Sequence, residues 1–134
     1  MSRRILKTAD DRAVAQRVQL SRRKGWRKPD GTIVIARPGY WGNPFVIGRT
    51  PREHRERDPR LWEHGGLATY ADDHPLTRAE AVGAYRAWFP TAVGRTGRAL
   101  AEEAGEVLRG HDLACWCPLD GPCHGDVLLE AAAT

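Results

Sequence analysis

The sequence contains no apolar run approaching the roughly 18–20 residues that span a bilayer, and Met-Ser-Arg-Arg at its start lacks the apolar stretch of a secretion signal. No membrane partner is expected, and the chain reads as cytoplasmic. Cysteine is scarce, with three residues, Cys115, Cys117 and Cys123, inside one nine-residue stretch. Three close thiols without a secretion signal do not make a disulfide framework, which leaves metal binding, reactivity or simple burial. Aromatics are only 7%, but five of the ten are Trp (Trp26, Trp41, Trp62, Trp88 and Trp116), so large rings must fill much of the core or line a site. Repeats, low-complexity blocks and dividing linkers are absent. The 134 residues fit one domain of the usual size, about 100–150 residues, and leave no room for a two-domain enzyme. With 41% hydrophobic and 28% charged residues a buried core is feasible and wholesale disorder is not expected.

Charge is unevenly spread. The formal total is +4, yet residues 1–60 hold 16 Lys/Arg against 6 Asp/Glu and residues 61–134 hold 5 against 11. Such a division is one sequence sign of an anionic partner, a nucleotide or a nucleic acid. Solvated surface arginines are the plainer reading of the same composition.

Residues 1–16 read as a flexible N-terminal segment or a short helix over 8–16 capped by Thr8. Arg17–Arg22 alternates like a half-exposed strand and Thr32–Ala36 is β-branched like a buried one; Pro29-Asp30-Gly31 between them is turn chemistry, so a hairpin is expected. From Pro38 to Pro75 the chain is rich in Gly, Pro and charge. Within it Thr50-Pro51-Arg52-Glu53 and Asp58-Pro59 open two short helices, the second ended by Gly65. A connection this long in so small a domain reads as a lid, a binding loop or a mobile region. Thr77-Arg78-Ala79-Glu80 is a capping box that opens a helix with Ala81, Val82, Tyr85, Trp88 and Phe89 on one face, stopped by Pro90. A helix over about 97–109 is expected to bury Leu100, Ala104, Val107 and Leu108 before Gly110. A strand over 112–117, a turn through Pro118–Pro122 and a helix over about 123–132 close the chain. The order specifies a small α/β sandwich, a hairpin plus a later strand packed by three main helices, the last strand pairing in parallel with an earlier one.

The most informative stretch is Leu113-Ala114-Cys115-Trp116-Cys117-Pro118-Leu119-Asp120-Gly121-Pro122-Cys123-His124-Gly125-Asp126. Side chains two apart on a strand share a face, so Cys115 and Cys117 lie together and the turn returns Cys123 and His124 to the strand's end. In one reading Cys115, Cys117, Cys123 and His124 form a tetrahedral zinc set, although C-x-C followed by an adjacent Cys-His pair departs from the usual knuckle spacing. In another, strand end and helix N-terminus form the cleft where α/β sheets bind ligands. Cys123 is then a low-pKa thiol, His124 a proton carrier, and Asp126 its orienter or a ligand to a ribose hydroxyl. Redox chemistry at Cys117 and Cys123 is a third reading, and cysteines that merely fill the core a fourth.

Arg37-Pro38-Gly39-Tyr40-Trp41-Gly42-Asn43-Pro44-Phe45 is the second constellation. An arginine, two glycines, an amide and three aromatics can stack a ring and hold a phosphate. Alternatively, Asn43-Pro44 is only a turn and Trp41 and Phe45 close the core. His54, His64, His74 and His111 show no metal or triad spacing and read as surface residues.

The motifs I-A-R-P…W-G-N-P-F and L-A-C-W-C…C-H-G-D-V-L resemble a family of small proteins from bacteria and their phages catalogued as domain of unknown function 4326. The resemblance covers the expected hairpin through Phe45 and then residues 77–131, leaving 48–76 outside as an insertion. It falls on Arg37, Gly42, Asn43, Pro44 and Phe45, and on Cys115, Cys117, Cys123, His124, Gly125 and Asp126. It implies a single domain and this choice of residues, but no reaction or substrate.

Two functions are expected from these observations. In the first, a nucleotide or nucleic-acid phosphate binds between the two motifs, with Arg37 on the phosphate, Gly42, Asn43, Phe45 and Cys117 contacting the ligand, and Cys123, His124 and Asp126 performing acid–base work. In the second, the chain is a zinc-stabilised, non-enzymatic module that engages a protein partner.

Overall fold

Leu113, Ala114 and Cys115 are buried at every position, and a strand apolar on both faces belongs between two others. In the computed structural model, which describes residues 14–133, that is where they lie. Strands β1 (Arg17–Gln19) and β2 (Ile33–Val34) both pair in parallel with β3 (Leu113–Cys115), in the order β1-β3-β2. The expected parallel pairing of the last strand with an earlier one is present, and the mixed α/β class stands. The hairpin is not present, because β3 separates β1 from β2 and all three strands run the same way. The turn chemistry itself was read correctly: the Thr32 N–H bonds to the Pro29 carbonyl at 3.2 Å and Gly31 takes φ 79°. It turns the chain into β2 without pairing β2 to β1. A hairpin would have left β3 at a sheet edge with one row of backbone N–H and C=O groups unpaired.

Helix starts follow their caps. Thr50 and Glu53 form a reciprocal capping box at α1 (Pro51–Arg57), and Asp58 ends α1 while capping α2 (Pro59–His64) through the Arg60 N–H. Thr77 and Glu80 repeat the box at α3 (Arg78–Trp88). Each cap satisfies helix-end N–H groups that otherwise have no partner. α4 (Leu100–Val107) lacks a side-chain cap at Ala99, so its start was the least legible. α5 (His124–Ala133) closes the chain. Among the described residues no helix is long and apolar enough to cross a membrane. The helix expected over 8–16 lies outside the described residues except for residues 14–16, which are not helical.

The core is one cluster. α5 packs on β3, and α3 and α4 pack on α5, with Leu108, Leu113, Leu128, Tyr85 and Phe45 each nearly or fully buried. Leu100, Ala104 and Leu108 of the predicted α4 face are buried, but Val107 is 51% exposed. Leu108 follows Leu100 and Ala104 at four-residue spacing, and Val107, one residue earlier, swings about 100° off that stripe. Leu108→Ala is therefore expected to destabilise the fold by about 2–5 kcal/mol in denaturant titrations. Val107→Ala should stay within about 0.5 kcal/mol of the parent; equal losses would show that the helix sits in another rotation.

Candidate functional site

Because the strands are parallel, β2 and β3 deliver their C-terminal ends to the same edge of the sheet. β2 runs through Ile35 and Ala36 into the 37–45 loop, and β3 runs into the cysteine turn. The two meet across a cavity of about 280 Å³ whose wall includes Arg37, Asn43, Phe45, Cys115, Cys117 and His124. Arg78, at the first turn of α3, and Trp116 also line it. Gly42, Cys123 and Asp126, expected at the ligand, stand outside this wall.

The loop is held by its own polar groups. Asn43 is only 8% exposed; its Oδ1 accepts the Phe45 N–H at 2.8 Å and its Nδ2 donates to the Ala81 carbonyl of α3 at 3.2 Å. Arg37 Nη1 donates to the carbonyls of Asn43 at 2.7 Å and Phe45 at 3.4 Å. A Cβ on Gly42 would lie 2.9 Å from Arg37 Cα, so glycine is required there by the close approach of the two chain segments. Trp41 and Phe45 are buried, Phe45 against Trp88 at 6.1 Å and His54 at 5.8 Å. Those two rings close the core, and the exposed aromatic surface at the cavity belongs to Trp116, 42% exposed, with the Arg22 guanidinium 4.2 Å from its ring centre.

His54 was expected on the surface and is completely buried. Its Nε2 accepts the Val46 N–H at 3.0 Å and its Nδ1 donates to the Thr50 carbonyl at 2.8 Å. This ties α1, in the segment expected to be a lid, to the end of the loop. Burial pushes its pKa down, with the Arg49 and Arg57 charges adding to the effect against the Thr50 hydrogen bond and Glu53. The other histidines do lie nearer the surface: His64 and His111 are exposed, and His74 is half-buried with its Nε2 2.7 Å from Glu80 Oε1.

At the second bend, Cys115 and Cys117 share a face as their spacing requires, with their sulfurs 3.7 Å apart. Cys123 Sγ accepts the Gly125 N–H at 3.3 Å and lies 3.8 Å from His124 Nδ1. His124 is 4% exposed, and its Nε2 is 2.8 Å from the Ile35 carbonyl. That carbonyl can only accept, so Nε2 carries the proton and Nδ1 presents its lone pair to the sulfur. Hydrogen bonds with Cys115 and Cys117, together with the Gly125 N–H, hold Cys123 below the ordinary thiol range against the effect of burial. Cys117 is pushed up by its contacts with Cys115 and Cys123 and by burial. Cys115 is also pushed up: its bond with Cys117 favours the thiolate, but its contact with Cys123 and burial outweigh that.

The His124–Asp126 pair expected from the sequence does not form. Asp126 Oδ1 lies 3.2 Å from Arg17 Nε instead, because residues two apart on a helix diverge by about 200°. Arg17 is a positioning residue that the sequence reading passed over. Its Nη2 donates to the carbonyls of Leu119 at 2.7 Å and Gly121 at 2.9 Å, and its buried Nη1 has no hydrogen-bond partner among the described residues. Burial works against its charge, but Cys123 and Asp126 outweigh that and its pKa is raised. A strand residue 100 positions upstream thus clamps the cysteine turn, which only the parallel β1–β3 pairing could have revealed. Arg78 was also passed over as a site residue, hidden inside an obvious capping box.

A family model matches residues 18–134, under the description "Domain of unknown function (DUF4326)". The chain belongs to the DUF4326 family. The matched range takes in 48–76, which the motifs alone left outside, in keeping with the His54 tie between α1 and the loop. No curated protein and no solved structure matches the chain.

Two outcomes follow. Asn43→Ala leaves the buried Phe45 N–H without its acceptor and is expected to lose about 1–3 kcal/mol in thermal or chemical unfolding. For His54 the folded pKa lies below the unfolded value of about 6.5, so the unfolded chain takes up the proton first. Its contribution is complete above about pH 6.5 and is lost as pH falls toward the folded value. Melting temperatures measured from pH 7.5 to 5 should fall for the parent, and His54→Gln should flatten that slope even though it lowers the starting stability.

Proposed function

We propose that the chain binds a nucleotide-sized phosphorylated ligand in the cavity between the 37–45 loop and the cysteine turn. The observation that carries this reading is two guanidiniums with unspent donors on one cavity wall. Arg78 has no hydrogen-bond or ion-pair partner among the described residues, and Arg37 uses only Nη1, leaving Nε and Nη2. Arginine offers a planar fork that matches two phosphate oxygens. The pKa of Arg49, near the loop, is lowered first by burial and then by the Arg57 and Arg37 charges against Glu53, in keeping with positive charge around this part of the chain. Trp116 supplies a face on which a base can stack. The volume of about 280 Å³ falls just below the range of small-molecule sites, about 300–1,000 Å³, which favours a mononucleotide or the terminal nucleotide of a strand over a larger ligand.

In this reading the site binds and orients. His124 contributes ring carbons to the wall, while its nitrogens face the Ile35 carbonyl and the Cys123 sulfur. Three free thiols suit a reducing compartment, so the cytoplasm is the proposed location.

Calorimetric titration with mononucleotides, inorganic phosphate and short DNA and RNA strands tests the proposal. Binding should weaken as salt rises, and Arg37→Ala or Arg78→Ala should each weaken it by about tenfold or more, the loss of a charge-assisted hydrogen bond. The reading fails if no phosphorylated compound binds, or if the double variant binds as well as the parent.

A further inference from the structure

The sulfur cluster is not used by that reading, and its geometry has its own meaning. A tetrahedral ion with Zn–S bonds of about 2.3 Å holds two sulfurs about 3.8 Å apart, and a sulfur and an imidazole nitrogen about 3.6 Å apart. Here Cys115 and Cys117 Sγ are 3.7 Å apart, and Cys123 Sγ and His124 Nδ1 are 3.8 Å apart. Cys115 Sγ, Cys123 Sγ and the His124 nitrogen all lie within 4.8 Å of one another. We infer that Cys115, Cys117, Cys123 and His124 bind one zinc ion, three thiolates and one imidazole, at the junction of β3 and α5.

Three further features fit the assignment. The adjacency of Cys123 and His124 argues against a shared ion only if the histidine uses its distal nitrogen. His124 turns Nδ1, the nitrogen next to its own Cβ, toward the sulfur, and that short reach suits a neighbouring pair. Its distal Nε2–H donates to the Ile35 carbonyl, the second hydrogen bond that fixes the tautomer and ring plane of metal-bound histidines. Charge is also matched. Three thiolates and a divalent ion sum to −1, and the guanidinium of Arg17, with a buried Nη1 lacking a hydrogen-bond partner among the described residues, lies beside Cys123. Cys117 is the outermost ligand. It is half-buried on the cavity wall, outside the group of three whose ligand atoms lie within 4.8 Å of one another, and its sulfur joins that group through the 3.7 Å contact with Cys115. Binding displaces the thiol protons to solvent, and with four protein ligands the site is closed and structural.

The experiment uses the full chain, purified without chelator. Elemental analysis should find about one zinc per chain, and its removal under reducing conditions should lower the melting midpoint by roughly 10 °C or more, restored by adding zinc. Cobalt placed in the emptied protein should give the intense visible bands of a tetrahedral thiolate site. Cys123→Ser and His124→Ala sit in the core and can fail to fold, so the decisive variant is Cys117→Ser: it should lose about a third of the thiolate-to-cobalt charge-transfer absorption. The double variant Arg37→Ala/Arg78→Ala should keep its zinc while losing phosphate, so failure of the nucleotide reading leaves this one standing. A reduced protein that takes up neither zinc nor cobalt overturns the assignment. So does a Cys117→Ser protein whose cobalt spectrum and zinc affinity equal the parent's.

Discussion

Burial of β3 on both faces determines the rest of the molecule. A three-residue strand with no polar side can be stable only between partners, and here those partners run parallel to it. Parallel strands send their carboxyl ends to one edge, the crevice where open α/β sheets commonly bind ligands. Two segments some 75 residues apart therefore meet without any contact in sequence to announce it: the loop that follows β2 and the turn that follows β3. The connections that permit this, α1 to α4, cannot be short, since a parallel pairing needs a crossover. The length of the 38–75 segment is thus partly a topological requirement, and its anchoring through His54 makes it part of the scaffold as well.

At that edge most of the polar groups are already engaged with one another. Asn43, Arg37 Nη1 and His54 fix the course of the loop, and Arg17 fixes the turn through two carbonyls and Asp126. Groups held in this way lose little further freedom when a ligand arrives, which is how preorganisation improves affinity. Their satisfaction also narrows the chemistry. An amide whose oxygen and nitrogen both bond the backbone is a strut, whereas the Arg78 fork and the free edge of Arg37 are left without a partner among the described residues.

Local signals were the legible ones. Capping boxes at Thr50 and Thr77, the Asp58-Pro59 start and the Cys115/Cys117 alternation each depend on residues a few positions apart, and each is present as read. Strand order was not legible, because good turn residues at 29–31 serve equally a hairpin and a strand entry. His54 escaped notice because its partners are backbone groups, Val46 N–H and Thr50 C=O, which no side-chain motif records. Asp126 was placed beside His124 on proximity in sequence, whereas helix geometry carries it round to Arg17. Within the loop, the residue types matched a ligand site and a structural corner equally well. Burial decides for the corner at Trp41, Asn43 and Phe45, and leaves Arg37 and Trp116 facing the cavity.

The two ends of the cavity wall pose an electrostatic conflict that Arg17 resolves. A sulfur cluster bearing net negative charge, whether one thiolate or three around a zinc ion, would repel a phosphate held by Arg37 and Arg78 a short distance away, and low-dielectric surroundings would amplify the repulsion. The Arg17 guanidinium lies 3.2 Å from Asp126 and beside Cys123, and none of these three residues belongs to the cavity wall. Its charge offsets that of the sulfurs from outside the cavity wall, whereas Arg37 and Arg78 line the cavity itself. That division explains why an arginine on an edge strand is buried at all: a lysine's single ammonium could balance the charge but could not also hold the Leu119 and Gly121 carbonyls and Asp126 with one planar fork.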